Sequence, residues 1–295
     1  CAGDRTGQPI ASTQKLMQTL CSLSLVPVPS RSLDHLLRKT CWALSLWFLV
    51  ALAHAQTRQI PLDKLQSGLA FTGPEILDLQ GDDFANPALP ALDKGGRLWK
   101  QVAGKSDKSC QSCHGELSSS MKGVATRYPA IDKASGTLFN LEDRIRQCRQ
   151  QNQKAPEWPF ESEELLAVTL YVTSASNGMP IQVNIEGKAQ PHFEAGQKIF
   201  MARQGQMNLA CTQCHDQRYG IKLFTDKLSQ GQPNAYPAYR IEWQRMASLE
   251  RRLRFCYNGV RAETPAWGHM DMRNISLYLM WRAQGLKIEV PSVRK

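Results

Sequence analysis

The chain has 295 residues, 42% of them hydrophobic, and a formal charge of +10. It is too long for one small domain and apolar enough to fill two cores, which excludes wholesale disorder. The basic balance suits anionic substrates or acidic partners, and no nucleic-acid-binding motif accompanies it.

In chain order, Arg31, Arg38 and Lys39 precede Cys41 to Ala53, thirteen residues without a charge. Ala53-His54-Ala55 then has the small-x-small pattern of a signal-peptidase site. A membrane span needs about 20 apolar residues, so this run predicts export to the periplasm, cleavage near Ala55/Gln56 and no membrane span in the mature chain. Residues 1–55, an upstream segment and signal peptide, hold five Lys/Arg and two Asp/Glu; without them 31 basic residues face 24 acidic ones, a formal +7. Residues 56–87 are polar and punctuated by Pro and Gly, and form an N-terminal extension.

Two motifs follow, Cys110-Gln-Ser-Cys113-His114 and Cys211-Thr-Gln-Cys214-His215. Each is C-x-x-C-H, the attachment pattern of c-type haem. Two thiols add to the two vinyl groups on one porphyrin edge, and the next residue is held under the iron as its proximal ligand. Zinc would need both pairs in one small unit, yet they stand 101 residues apart. Neither zinc nor a redox dithiol explains a histidine directly after each pair. Two covalently bound haems are expected, held by Cys110, Cys113, Cys211 and Cys214, with His114 and His215 on the irons.

The motifs sit inside a repeat of about 90 residues. Gly96-Arg-Leu-Trp99 precedes the first and Gly196-Gln-Lys-Ile-Phe200 the second. Tyr128-Pro-Ala130 recurs as Tyr236-Pro-Ala238, each Pro lying 19 residues before a single cysteine, Cys148 or Cys256. Glu142-Asp-Arg144-Ile-Arg-Gln-Cys148 matches Glu250-Arg-Arg252-Leu-Arg-Phe-Cys256, and a Pro-x-Trp turn and a helix bearing Leu-Tyr close each copy. Apolar spacing of three and four predicts helices over 163–174 and 272–283, with few strand signals.

This arrangement resembles the class I cytochrome c fold. The fold class expected is mainly α, two tandem class I cytochrome c-like domains with an N-terminal extension, divided at 56–185 and 186–295. In that family a Met before the Pro-aromatic turn is the usual distal ligand. Here Thr264 and Ala155 stand at those positions. Cys148 and Cys256 are the candidates for the far side of each iron, since a thiolate ligates haem iron. A Cys148–Cys256 disulfide is the competing reading. Met179, Met270 and Met272 read as linker or packing, and His192 and His269 as surface or capping residues. Arg252 lies four residues before Cys256, on the same helical face, with Arg245, Arg251, Arg254 and Arg261 nearby. A cation there favours a thiolate and draws in an anion.

With Asp82-Asp-Phe-Ala-Asn-Pro87, Gly96 and Trp99, the two haem motifs and Arg-x-x-x-Cys, the chain resembles one family in particular: the SoxA subunits, in dihaem form, of the periplasmic thiosulfate-oxidising system. The resemblance covers nearly all of the mature chain. It implies an L-cysteine S-thiosulfotransferase, working as a heterodimer with a monohaem SoxX cytochrome. Thiosulfate would be coupled to a cysteine of the SoxYZ carrier, and two electrons would pass to cytochrome c. It further implies that Cys256 is a distal haem ligand and catalytic, often as a persulfide, that Arg252 binds substrate, and that the first haem, with Cys148, is remote from the chemistry. The competing function is a dihaem electron carrier without sulfur chemistry of its own.

Overall fold

The structure, a computed structural model, describes residues 59–295. The expected leader and its cleavage near Ala55/Gln56 lie outside the described residues. Among those residues no helix is long and apolar enough to cross a membrane.

The first repeat follows α1 (Pro74–Gly81) and comprises α2 (Leu89–Lys100), α3 (Cys110–His114), α4 (Leu117–Ser120), the hairpin β1 (Ala130–Ile131) and β2 (Leu138–Phe139), α5 (Leu141–Gln151) and α6 (Glu163–Ser174). The second comprises α7 (Gln190–Met201), α8 (Cys211–His215), β3 (Lys222–Leu223), β4 (Asp226–Lys227), β5 (Ala238–Arg240), β6 (Arg245–Ala247), α9 (Leu249–Gly259), α10 (Met270–Arg282) and β7 (Ser292–Arg294). In each repeat the first long helix packs on the last, α2 on α6 and α7 on α10.

Glycine permits both crossings. A Cβ on Gly95 would come within 2.1 Å of the Ala167 carbonyl, and one on Gly196 within 2.1 Å of the Asn274 carbonyl. The equivalent of Gly196 is therefore Gly95, 15 residues before its motif, and not Gly96, which the sequence pattern had paired with it. Four residues on from each crossing glycine, Trp99 and Phe200 are buried beneath the helix pair. The helices carrying the lone cysteines also start alike. Asn140 caps α5 by accepting from the Asp143 amide at 2.8 Å, and Ser248 caps α9 by accepting from the Arg251 amide at 3.1 Å. Each cap satisfies a backbone donor that the helix itself leaves unpaired.

The repeats differ in their strands. In the second, a three-stranded sheet of order β6-β5-β7 forms, with Arg240 opposite Arg245 in the antiparallel pair and beside Arg294 in the parallel pair. Three-residue strands are too short for alternation to show in a sequence, so the sequence carries no signal for this sheet. The segment before the first repeat lies along it. Gln80 Oε1 accepts from the Val293 amide at 3.0 Å, Asn86 Nδ2 donates to the Pro291 carbonyl at 3.1 Å, and Gln66 N donates to Gln230 Oε1 at 2.8 Å.

The repeats are tied to each other. Arg273 of α10 grips Asp143 of α5 through Nε and Nη2, at 2.6 and 2.8 Å. One apolar cluster runs from Leu166 and Leu170 through Ile181 to Phe193 and Ile275, while Trp99, Leu141, Val168 and Val172 form a second under the first repeat.

Candidate functional site

In each repeat a short helix carries the C-x-x-C-H and a longer one carries the lone cysteine. All six described cysteines are free, so the Cys148–Cys256 disulfide is not formed. The electrostatics place each lone cysteine against its own motif: Cys148 acts on Cys110, and Cys256 acts on Cys211 and Cys214. Burial pushes the Cys110 thiol up to about 11 and the Cys211 thiol up to about 12.

The second repeat builds the more elaborate site. His215 Nδ1 lies 2.8 Å from the Ser229 carbonyl. A carbonyl only accepts, so Nδ1 carries a proton and the other ring nitrogen points away from that bond. Gly231 presses on the same ring: at φ +68°, a Cβ there would lie 2.9 Å from the imidazole. Ser229 fixes the ring's rotation and Gly231 admits it. Cys256 lies beside this ring and interacts with it electrostatically. In the first repeat Trp99 supports His114, with ring centres 5.7 Å apart, and its indole nitrogen donates to the Gly115 carbonyl at 3.2 Å.

These residues fit a c-type haem. Paired free thiols stand beside an imidazole in each repeat. In the second, the imidazole is held by its far nitrogen, the usual way a metal-binding histidine is oriented, and a sulfur faces it. Cys110, Cys113 and His114 could hold one such group, and Cys211, Cys214 and His215 another.

The two lone cysteines differ in charge environment. Burial alone would raise the Cys256 thiol. Arg252, the hydrogen bond and charge of His215, and Arg240 together outweigh that and bring it down to about 7. Cys148 is raised by burial, which Arg144 and a hydrogen bond from Asn152 oppose without reversing. The cause is visible in the neighbours. Arg144 spends its guanidinium on Asp132 at 2.6 Å, Gln147 at 2.5 Å and the Tyr128 hydroxyl at 3.3 Å. In return Arg144 and Ser135 hold the Asp132 carboxyl well below the usual carboxylate range. Arg252 makes no ion pair among the described residues, and its Nη1 is buried without a hydrogen-bond partner.

The other arginines expected around Cys256 are engaged elsewhere. Arg251 pairs with Glu161 at 3.6 Å, Arg245 donates to the Glu161 carbonyl at 3.1 Å, Arg254 donates to the Pro265 carbonyl and lies over Trp267, and Arg261 is exposed. Nearness in sequence does not bring them to the thiol: Arg251 and Arg254 project from other faces of α9, Arg245 lies in β6 and Arg261 follows the helix end. Arg240, which sequence reasoning passed over, does act on the thiol from the end of β5. His269 caps α10 by accepting from the Asp271 amide at 3.2 Å, His192 pairs with Asn274 at 2.8 Å, and Met272 is core. Thr264, at the position of the usual Met, donates to Asn258 Oδ1 at 2.9 Å.

Residues 94–181 match the family model described as "SoxA/TsdA, cytochrome c domain". The match spans the first C-x-x-C-H and Cys148, so a covalently bound c-type haem belongs to this fold. The chain is 36% identical over 236 residues to the L-cysteine S-thiosulfotransferase subunit SoxA of Pseudaminobacter salicylatoxidans, covering 80% of this chain and 82% of the relative. It is 34% identical over 232 residues to the subunit of the same name from Rhodovulum sulfidophilum, covering 79% and 81%. Among solved structures it is similar to a chain of SoxXA from P. pantotrophus, with a TM-score of 0.76 and 34% identity over 78% of this chain and 87% of that one.

Proposed function

The chain belongs to the SoxA family, and from that premise we propose that it is the catalytic haem subunit of an L-cysteine S-thiosulfotransferase, exported to the periplasm and paired with a SoxX-type monohaem cytochrome. It carries two covalent haems, one per repeat, with His114 and Cys148 on the first iron and His215 and Cys256 on the second. Its reaction joins thiosulfate to a carrier cysteine on SoxYZ: R–SH + S2O3(2−) gives R–S–S–SO3(−), one proton and two electrons. A new S–S bond forms, both reacting sulfurs are oxidised, and the electrons leave for cytochrome c. The haem, when bound, supplies the electron acceptor beside the sulfur chemistry.

The observation that carries this reading is the environment of Cys256. Two guanidiniums, Arg252 and Arg240, act on this buried sulfur, and cations beside a cysteine favour its thiolate, the form that ligates iron and exchanges sulfur. Arg252, with an unpaired buried nitrogen, offers a charge-assisted hydrogen bond to a small dianion. Ser229 and Gly231 hold His215 in one orientation, so the second site is preorganised.

The test is reconstitution. The holoprotein, its SoxX-type partner, SoxYZ and oxidised cytochrome c are combined with thiosulfate. Cytochrome reduction and a thiosulfate adduct on the carrier cysteine are expected together. Reduction without an adduct would leave the electron-carrier function in its place.

A further inference from the structure

Aligned on the lone cysteines, the two repeats are offset by 108 residues, which brings Arg144 onto Arg252 and Asp132 onto Arg240. At the one position where the first site has a carboxylate against its arginine, the second has another arginine. We propose that Arg240 and Arg252 together form a two-guanidinium pocket that binds the thiosulfate dianion beside Cys256, and that Asp132 closes the equivalent pocket in the first repeat by occupying Arg144. This rests on the function proposed above and adds a substrate-binding residue to it.

The geometry supports each half. Arg240 is 6% exposed, and its Nε is buried with no hydrogen-bond partner, as is Arg252 Nη1. Two buried guanidinium donors without acceptors, both acting on one sulfur, leave the second site short of negative charge. A buried cation of this kind is costly unless an anion meets it. The one ion pair of Arg240 among the described residues is with Glu242 at 3.4 Å, and that carboxylate is half exposed. Its neighbour in the sheet, Arg294, is already engaged by Glu289 at 2.6 Å and by Gln80 at 2.5 Å. Both guanidiniums rest on aromatic faces, Arg240 over Trp243 at 4.9 Å and Arg252 over Phe255 at 5.2 Å, with the two rings 5.5 Å apart. Stacking holds the guanidinium planes and leaves their edges for an oxyanion. In the first repeat Arg144 instead meets Asp132, 3% exposed, at 2.6 Å, and each of its three guanidinium nitrogens has a partner.

The test is calorimetric titration of the holoprotein with thiosulfate alone. The wild type should bind, and Arg240→Gln should bind about tenfold more weakly or worse, the loss of one charge-assisted contact. Glu242→Gln, an exposed change that frees Arg240, should bind about two- to threefold more tightly. The proposal is overturned if the haem-replete Arg240→Gln protein binds thiosulfate as the wild type does. It is equally overturned if that variant shifts only the haem potential or content while affinity is unchanged, because the guanidinium then serves a haem propionate. Should Arg240→Gln fail to fold, Glu242→Gln decides, and unchanged affinity there overturns the pocket. Binding is read without carrier or partner, so failure of the pocket is distinct from failure of the coupling reaction, which the reconstitution tests on the wild type.

Discussion

The two repeats share a framework and differ in what they place beside the lone cysteine. Both cross their long helices at a glycine, both bury an aromatic four residues beyond it, and both shield an acid at the start of the cysteine helix. Burial pushes Glu142 up to about 8 and Glu250 up to about 7. Yet Cys148 is raised and Cys256 is lowered. A duplicated scaffold here carries two different charge environments. One side chain, a carboxylate at 132 against a guanidinium at 240, decides whether the neighbouring arginine is consumed or available.

That contrast can be broken in several places. The largest effect is expected at the cysteines. Met can ligate iron but cannot exchange sulfur, so Cys256→Met with both haems in place should lose thiosulfate-dependent cytochrome reduction, while Cys148→Met should keep it within about twofold, a change of less than 1 kcal/mol in barrier. Activity in the haem-replete Cys256→Met protein would mean that Cys256 is not catalytic and would leave the electron-carrier function in its place. Next comes Arg252→Ala. Its loss should raise KM for thiosulfate by about tenfold to a hundredfold, the worth of a hydrogen bond to a charged group, and Arg252→Lys should recover part of it, since charge remains but the planar fork does not. An unchanged KM would place the substrate elsewhere.

Smaller effects appear in stability. Asp132→Asn strands part of the Arg144 guanidinium and should cost about 1–2 kcal/mol in denaturant unfolding, whereas Glu242→Gln should cost less than about 0.5 kcal/mol. Equal costs would remove the distinction between a closed and an open arginine. The smallest effect concerns the acids the repeats share. Glu142 and Glu250 bind protons more tightly folded than unfolded, so their contribution to stability is full below the ordinary carboxylate range. It is lost as pH rises through about 7 and 8. Thermal unfolding should show stability falling across that window, and Glu142→Gln should flatten the slope. A slope unaltered by the substitution would show that Glu142 does not hold its proton in the folded state.

The sequence made much of this legible because covalent haem attachment and helix repetition leave fixed spacings. The C-x-x-C-H pairs, the lone cysteines and Arg252 are found by counting. What stayed hidden depends on pairing across distance. Arg240 owes its place to β5, whose partner β7 lies some fifty residues on, and to a seven-residue lengthening between the haem motif and Tyr236 that contains the β3–β4 hairpin. Ser229 and Gly231 act on His215 through backbone geometry, which their identities alone do not announce. The Asp132 and Arg240 exchange was readable once the repeats were aligned on Cys148 and Cys256, but its meaning required knowing that Arg144 reaches Asp132.

The most direct test of a single sulfur-active repeat is to map where sulfur goes. The holoprotein, turning over thiosulfate with its partner and SoxYZ, is quenched by acid, digested and analysed by mass spectrometry for persulfide or thiosulfonate adducts. The account predicts added sulfur on the peptide containing Cys256 and none on the peptide containing Cys148. Equal labelling of the two, or labelling of Cys148 alone, would contradict it.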